Sequence, residues 1–214
     1  MPKEEKSHSN LKKYYLFISL FLLVGFFVFT LIVRSDTLRG FDFDTTVRVQ
    51  SKIPVKFDTF FSILSVVGRF EFTAFILLIF ILFKRKLTGF VPIIIFSAAH
   101  VLEYIGKTIL EQPGPPRMFL RAQFSEFPGL HVFTESSYPS GHSMRIVFLG
   151  VLFSIILYNS KFSKSIKLFI HTMILTLVIS MIVSRVSLGE HWTTDVVGGA
   201  LLGAGSALFS LLLL

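Results

Sequence analysis

His142, His191 and Asp195 are the residues through which this chain could do chemistry. His191 and Asp195 are spaced i and i+4, so on a helix the carboxylate can sit against the imidazole. That contact fixes the tautomer and stabilises the imidazolium. His142 belongs to Pro139-Ser140-Gly141-His142, a turn that opens an apolar run. The first N–H groups of such a helix are unpaired and favour an anion. Ser184-Arg185 closes the run before His191, and Lys107 lies near the outer end of another. Taken alone, Pro-Ser-Gly-His is a weak signal, and a lone intramembrane histidine is more often structural. Two histidines, several cations and a carboxylate on one membrane face are different. Their surplus positive charge asks for an anionic ligand, and phosphate is the obvious one.

The elements that must position these residues are membrane spans. Of 214 residues 52% are hydrophobic, 16% are charged and 26 are phenylalanine. A soluble domain averages about a quarter charged, so a soluble fold is excluded. Six spans of about 20 residues would take roughly 120 positions. Six apolar runs are present, at about 14–33, 60–83, 89–110, 140–158, 165–186 and 191–214. The reading is all-α: a polytopic six-helix membrane bundle with its active site at the outer face. Residues 1–13 form a polar leader, 14–214 one membrane domain, and 111–139 a long outward loop. The first run is too long for a cleaved signal and lacks a cleavage site, so it reads as a retained anchor. No internal repeat or low-complexity linker is visible. The absence of cysteine removes disulfides, zinc–thiolate sites and thiol nucleophiles.

Charge placement gives the orientation. Lys3, Lys6, Lys12 and Lys13 precede the first span; Lys84, Arg85 and Lys86 follow the second; Lys161, Lys164 and Lys167 follow the fourth. These segments share one side of a six-span chain, and the positive-inside rule makes that side cytoplasmic, with both termini. The net charge of +8 is therefore a topology signal, and no nucleic-acid partner is expected. Within the third run His100, Glu103 and Lys107 share a helical face. They form either an internal packing triad or a polar wall descending from the site. Arg69 and Glu71 do not share a face, which suggests structural roles or an irregular second span.

At these residues the sequence resembles the type-2 phosphatidic acid phosphatase superfamily. Pro139-Ser140-Gly141-His142, and Ser184-Arg185 followed at the right intervals by His191 and Asp195, match its second and third signature motifs without a gap. The resemblance covers about residues 60–210. It implies a membrane lipid phosphatase acting on a lipid phosphate or pyrophosphate without metal or cofactor. It makes His191 the nucleophile that becomes phosphohistidine, Asp195 its orienting partner, and His142 the group that protonates the leaving alkoxide and then activates water. Lys107, Arg185, Ser140 and the Gly141 N–H would hold the phosphoryl oxygens. Glu190 would lie at the rim. Arg145 would contact a second phosphate or pair with Glu103 or Glu135, and His131 and Glu135 would be surface or lid residues.

The first family motif, a lysine followed after six residues by Arg-Pro, is incomplete. Lys107 and Pro115 match, but Gly114 holds the arginine position. Arg117, which follows a Pro-Pro turn, is the expected replacement. Arg121 is the alternative, and loop arginines that only meet lipid headgroups are a third. The competing classes are a transporter, a metal hydrolase, a phosphate-binding relative without activity and a lipid phosphotransferase. A transporter would carry repeats and mid-membrane polar groups. A metal site would sit badly beside Lys107 and Arg185. Retained His142, His191 and Asp195 favour an enzyme over a binder, while a transferase with the same phosphohistidine stays open. Undecaprenyl pyrophosphate, phosphatidylglycerophosphate and phosphatidic acid all fit as substrates. The expected partners are that lipid phosphate and the surrounding membrane lipids, with the oligomeric state left open.

Overall fold

A computed structural model describes residues 2–84, 86–121 and 136–214, with residues 2–10 as backbone only. Arg85, His131, Glu135 and the side chains of Lys3 and Lys6 lie outside the described residues. Eight α-helices occur among the described residues and no strand. They are α1 (Pro2–Arg34), α2 (Arg39–Lys52), α3 (Asp58–Val67), α4 (Phe70–Lys84), α5 (Val91–Ile109), α6 (Gly141–Tyr158), α7 (Lys164–Ser187) and α8 (Thr193–Leu212).

Among the described residues five helices are long and apolar enough to cross a bilayer alone, within Leu11–Arg34, Leu87–Ile109, Gly141–Tyr158, Lys164–Ser187 and Thr193–Leu212. The second apolar run, expected over 60–83, is two helices and not one. It is a pair, Val55–Val67 and Phe70–Lys84, bent by 49°. With that pair counted as one span the bundle has six. The irregularity suggested by Arg69 and Glu71 is therefore real, and Gly68 caps α3 at the break.

The helices α6 and α8 form the centre, with α1, α5 and α7 more exposed around them. Phe17, Phe21, Leu168 and Phe169 are each more than 60% exposed, far more apolar surface than a soluble monomer shows. Such a surface suits lipid, where each helix satisfies its own backbone groups. Contact between α6 and α8 depends on small residues. A Cβ on Gly199 would collide with the Ser140 carbonyl, and one on Gly203 with the Met144 carbonyl. Their absence lets the two backbones touch, as small residues do between membrane helices. The core beside this seam contains Phe96, Tyr138, Met144, Phe148, Leu152 and Leu202.

The two ends of the bundle differ. Lys12 Nζ donates to the Leu212 carbonyl at 3.2 Å, so α1 begins where α8 ends. The opposite end carries the starts of α6 and α8 and the ends of α5 and α7, and all the candidate site residues lie there. The stretch before α6 is pinned at that end. Tyr138 stacks on Phe26, with centroids 6.3 Å apart, and its hydroxyl lies 2.9 Å from Thr30 Oγ1. Burial pushes the Tyr138 phenol up to about 12, so it stays a neutral hydrogen-bonding group.

Candidate active site

The site is assembled where two helices start side by side. The Ser140 N–H donates to the Asp195 carbonyl at 2.9 Å, which ties the start of α6 to the first turn of α8. Ser140 is the N-cap of α6, and its Oγ accepts from the Ser143 N–H at 3.5 Å. Gly141 follows as the first helical residue. A Cβ there would collide with the Glu103 carboxylate, so only glycine admits that close approach. Next comes His142, in the field of Arg185, Arg145, His191 and Lys107.

On α8 the cap is supplied from outside the helix. The N-cap residue is Trp192, which has no side-chain acceptor for this role. Asp42 of α2 supplies it: Oδ1 accepts from the Thr194 N–H at 2.9 Å, and Oδ2 from Thr194 Oγ1 at 2.6 Å. Asp195 Oδ2 accepts from the Trp192 N–H at 2.8 Å, the reciprocal half of a capping box. His191 Nδ1 then stands 3.5 Å from Asp195 Oδ2. That is ion-pair range without hydrogen-bond geometry, and Nδ1 and Asp195 Oδ1 are both buried without a hydrogen-bond partner.

Arg185 is fully buried at the end of α7. Its Nη1 donates to Glu190, its Nη2 to Ser65 of α3, and its Nε to Ser184 Oγ at 3.1 Å. Glu190, expected at the rim, is thus an internal partner for a buried cation. Lys107 Nζ lies 3.1 Å from Glu103 Oε1. Glu103 Oε2 takes His100 Nδ1 at 2.8 Å and Arg145 Nη1 at 3.2 Å. Arg145 Nε also donates to the Gly68 carbonyl at 2.7 Å. The His100–Glu103–Lys107 face therefore serves both readings at once, as an internal network whose end reaches the site. Arg145 takes the Glu103 partner.

The first-motif arginines fare differently. Arg121 Nη1 and Nη2 donate to the carbonyls of Ile53 and Gln50 at 3.1 and 2.9 Å, at the end of α2. Arg117 is exposed on a single 3-10 turn, Arg117–Phe119, with no partner among the described residues. Phe119 of that turn packs edge-on against Trp192 at 6.2 Å, so Arg117 lies close to the α8 start. Gly114 has room, since a Cβ there would meet only Ser137, at 3.5 Å.

Three contributors were not foreseen from the sequence: Asp42, Ser65 and Gly68. Gly68 interrupts an apolar run, which is a usable signal. It also lies against the site, where a Cβ would come within 2.7 Å of His142 Cδ2. Asp42 and Ser65 carry no local signal.

A helical membrane bundle with paired histidines and buried cations at one end has the form of an enzyme acting on phosphate. A profile of the PAP2 superfamily matches residues 88–214, and the chain belongs to that superfamily of membrane lipid phosphatases. An undecaprenyl-diphosphatase of Sulfolobus acidocaldarius is 27% identical over 195 residues, covering 91% of this chain and 88% of that protein. The crystal structure of a transmembrane PAP2-type phosphatidylglycerolphosphate phosphatase from Bacillus subtilis superposes with a TM-score of 0.70. It is 21% identical, over 91% of this chain and 93% of that one. LpxE of Aquifex aeolicus gives a TM-score of 0.59 at 22% identity, over 79% and 93%.

Proposed function

We propose that this chain dephosphorylates a lipid phosphate or pyrophosphate on the extracytoplasmic face through a phosphohistidine, without a metal ion. The observation that carries the reading is the 2.9 Å bond from the Ser140 N–H to the Asp195 carbonyl, which brings the start of α6, with His142, against the turn that carries His191 and Asp195. With Nδ1 turned towards Asp195, the His191 Nε2 is the nitrogen left to attack phosphorus. His142 protonates the departing lipid oxygen and then takes a proton from the water that cleaves the phosphohistidine. Arg185, Lys107, Ser140 and the Gly141 N–H stabilise the phosphoryl charge, with Arg117 reaching in from its exposed turn. Phosphate displaces Glu190 from Arg185 and shares Lys107 with Glu103.

Fixed cations do the work that a metal would do elsewhere, and among the described residues no three His, Asp or Glu side chains converge as ligands. Residues 14–214 act as one membrane domain after the 1–13 leader. The common end of α1 and α8, with Lys12, faces the cytoplasm. Candidate substrates are undecaprenyl pyrophosphate, phosphatidylglycerophosphate and phosphatidic acid. The deciding experiment is phosphate release from these three lipids in detergent with EDTA present. Turnover of at least one at an EDTA-independent rate supports the reading. Loss of turnover on chelation, with rescue by a divalent ion, moves the site to the metal hydrolases.

A further inference from the structure

The outer end of the bundle holds a cleft whose lining does not include His142 or His191. The cleft, of about 400 Å³, opens between the ends of α1 and α5, the start of α2, and Trp192 and Thr194. Its polar lining apart from the cap on α8 is Arg34, Arg39, Asp36, Glu111 and Gln112, Asp42 being committed to Thr194. Arg39 meets Asp36 at 3.4 Å in an exposed pair, which is worth little in water. Arg34 and Glu111 are exposed and make no ion pair or hydrogen bond among the described residues. Among those residues only Asp36 (φ 59°) and Glu111 (φ 42°) are non-glycines in the left-handed region, and both line this cleft. Such backbone persists where the surroundings enforce it, often at ligand sites.

The wall is built. The Gln112 N–H donates to Ser136 Oγ at 3.2 Å, the Ser137 N–H to the Gln112 carbonyl at 2.9 Å, and Trp192 Nε1 to the Pro113 carbonyl at 2.9 Å. Gly114 also lines the cleft, so the missing arginine leaves it open. Its volume is in the range of small-molecule sites. Val33 and Leu110 form apolar lining at the span ends, which is headgroup depth.

We propose that this cleft binds a hydroxylated phosphodiester headgroup, of the phosphoglycerol type, beside the catalytic site. Arg34 and Arg39 take the diester phosphate, as guanidinium groups do. Glu111 and Gln112 accept from the hydroxyls. The headgroup belongs either to the substrate, as its part that is not transferred, or to a neighbouring bilayer lipid.

Trp192 is the sole tryptophan and lines the cleft, so it reports binding directly. The purified full chain in detergent is titrated with glycerophosphoglycerol, which has no phosphomonoester and no acyl chain. A saturable fluorescence change is expected, with the apparent Kd raised about tenfold in Arg34→Ala. Absence of a saturable change in the wild type overturns the proposal. So does a change that Arg34→Ala and Arg39→Ala both leave intact. Only the kinetic arm rests on the lipid phosphatase reading. If the headgroup is the substrate's, Arg34→Ala lowers the kcat/KM preference for short-chain phosphatidylglycerophosphate over short-chain phosphatidic acid about tenfold. Binding with that preference unchanged supports the cleft and assigns it to a bilayer lipid. Binding by a wild type that hydrolyses neither of these lipids nor undecaprenyl pyrophosphate supports the cleft and refutes the phosphatase reading alone.

Discussion

Glu103 Oε1 lies 3.1 Å from Lys107 Nζ, so the lysine that a phosphate would use is already paired. The same carboxylate, 3% exposed, joins His100 and Arg145 and fills the space beside Gly141. It is the counter-ion that lets a cluster of cations exist at the end of a bundle without ligand. A phosphate entering at the start of α6 must share Lys107 with it.

Glu103→Gln should therefore move two observables in opposite directions. Arg145 would lose the carboxylate that it meets at 3.2 Å, and breaking a buried pair at one partner costs about 3–5 kcal/mol. The amide keeps a hydrogen bond, so a loss near the lower end is expected in thermal or denaturant unfolding in detergent. Inhibition by inorganic phosphate should meanwhile tighten several-fold, because Lys107 and Arg145 are released. Unchanged stability together with unchanged phosphate inhibition would remove Glu103 from this role.

If His191 is the proposed nucleophile, His191→Ala should abolish turnover and phosphoenzyme formation while the protein elutes normally in detergent. Asp195→Asn should retain a measurable rate, lowered by about 10²–10⁴-fold, since it orients and stabilises without attacking. Rapid acid quench with radiolabelled lipid phosphate separates the two. Label on a purified His191→Ala enzyme would place the covalent step elsewhere.

The first-motif arginines should separate by kind of effect. Arg121 is committed to the carbonyls of Gln50 and Ile53, so Arg121→Ala should cost about 1–3 kcal/mol in stability and change the rate only a few-fold. Arg117 has no such commitment, and Arg117→Ala should lower kcat/KM about a hundredfold if its guanidinium meets the transferring phosphoryl group. A change within about threefold would leave Lys107 and Arg185 to hold the phosphate unaided.

Much of this was legible in the sequence because it is local. The i, i+4 spacing of His191 and Asp195, the Ser140 cap and the glycine after it are written within a few residues. The six apolar runs end within a few residues of the helices, except that α1 begins at Pro2 and takes in the polar leader before the first run. What was illegible depends on long-range packing. Arg69 and Glu71 hint at the break near Gly68, but its surroundings, His142 and Arg145, come from another helix. Arg121 gives no hint of its partners, 68 and 71 residues away. The cap on α8 is illegible for the same reason, since Asp42 and Thr194 are 152 positions apart.

That remote cap gives the last prediction. Asp42 lies outside the spans; burial pushes its carboxyl above the usual value, against the lowering effect of the Thr194 hydrogen bonds. A raised folded value means that the fold favours the neutral form. Its contribution to stability is fully present below about pH 3.9, the ordinary aspartate value, and is lost as pH rises through the folded value. Asp42→Asn keeps an oxygen acceptor for Thr194 and has no proton to lose. The wild type should therefore lose ground to Asp42→Asn between pH 4 and pH 7, read as the difference in their unfolding midpoints. Asp42→Ala leaves the Thr194 N–H and hydroxyl buried without an acceptor and should cost about 1–3 kcal/mol at either pH. Because the first turn of α8 carries Asp195 and follows His191 directly, kcat in Asp42→Ala should also fall several-fold, while Asp42→Asn stays close to wild type. A pH-independent gap between wild type and Asp42→Asn would show that the carboxyl is not held above its usual value. An Asp42→Ala enzyme with wild-type kcat would show that the α8 start holds its geometry without the remote cap.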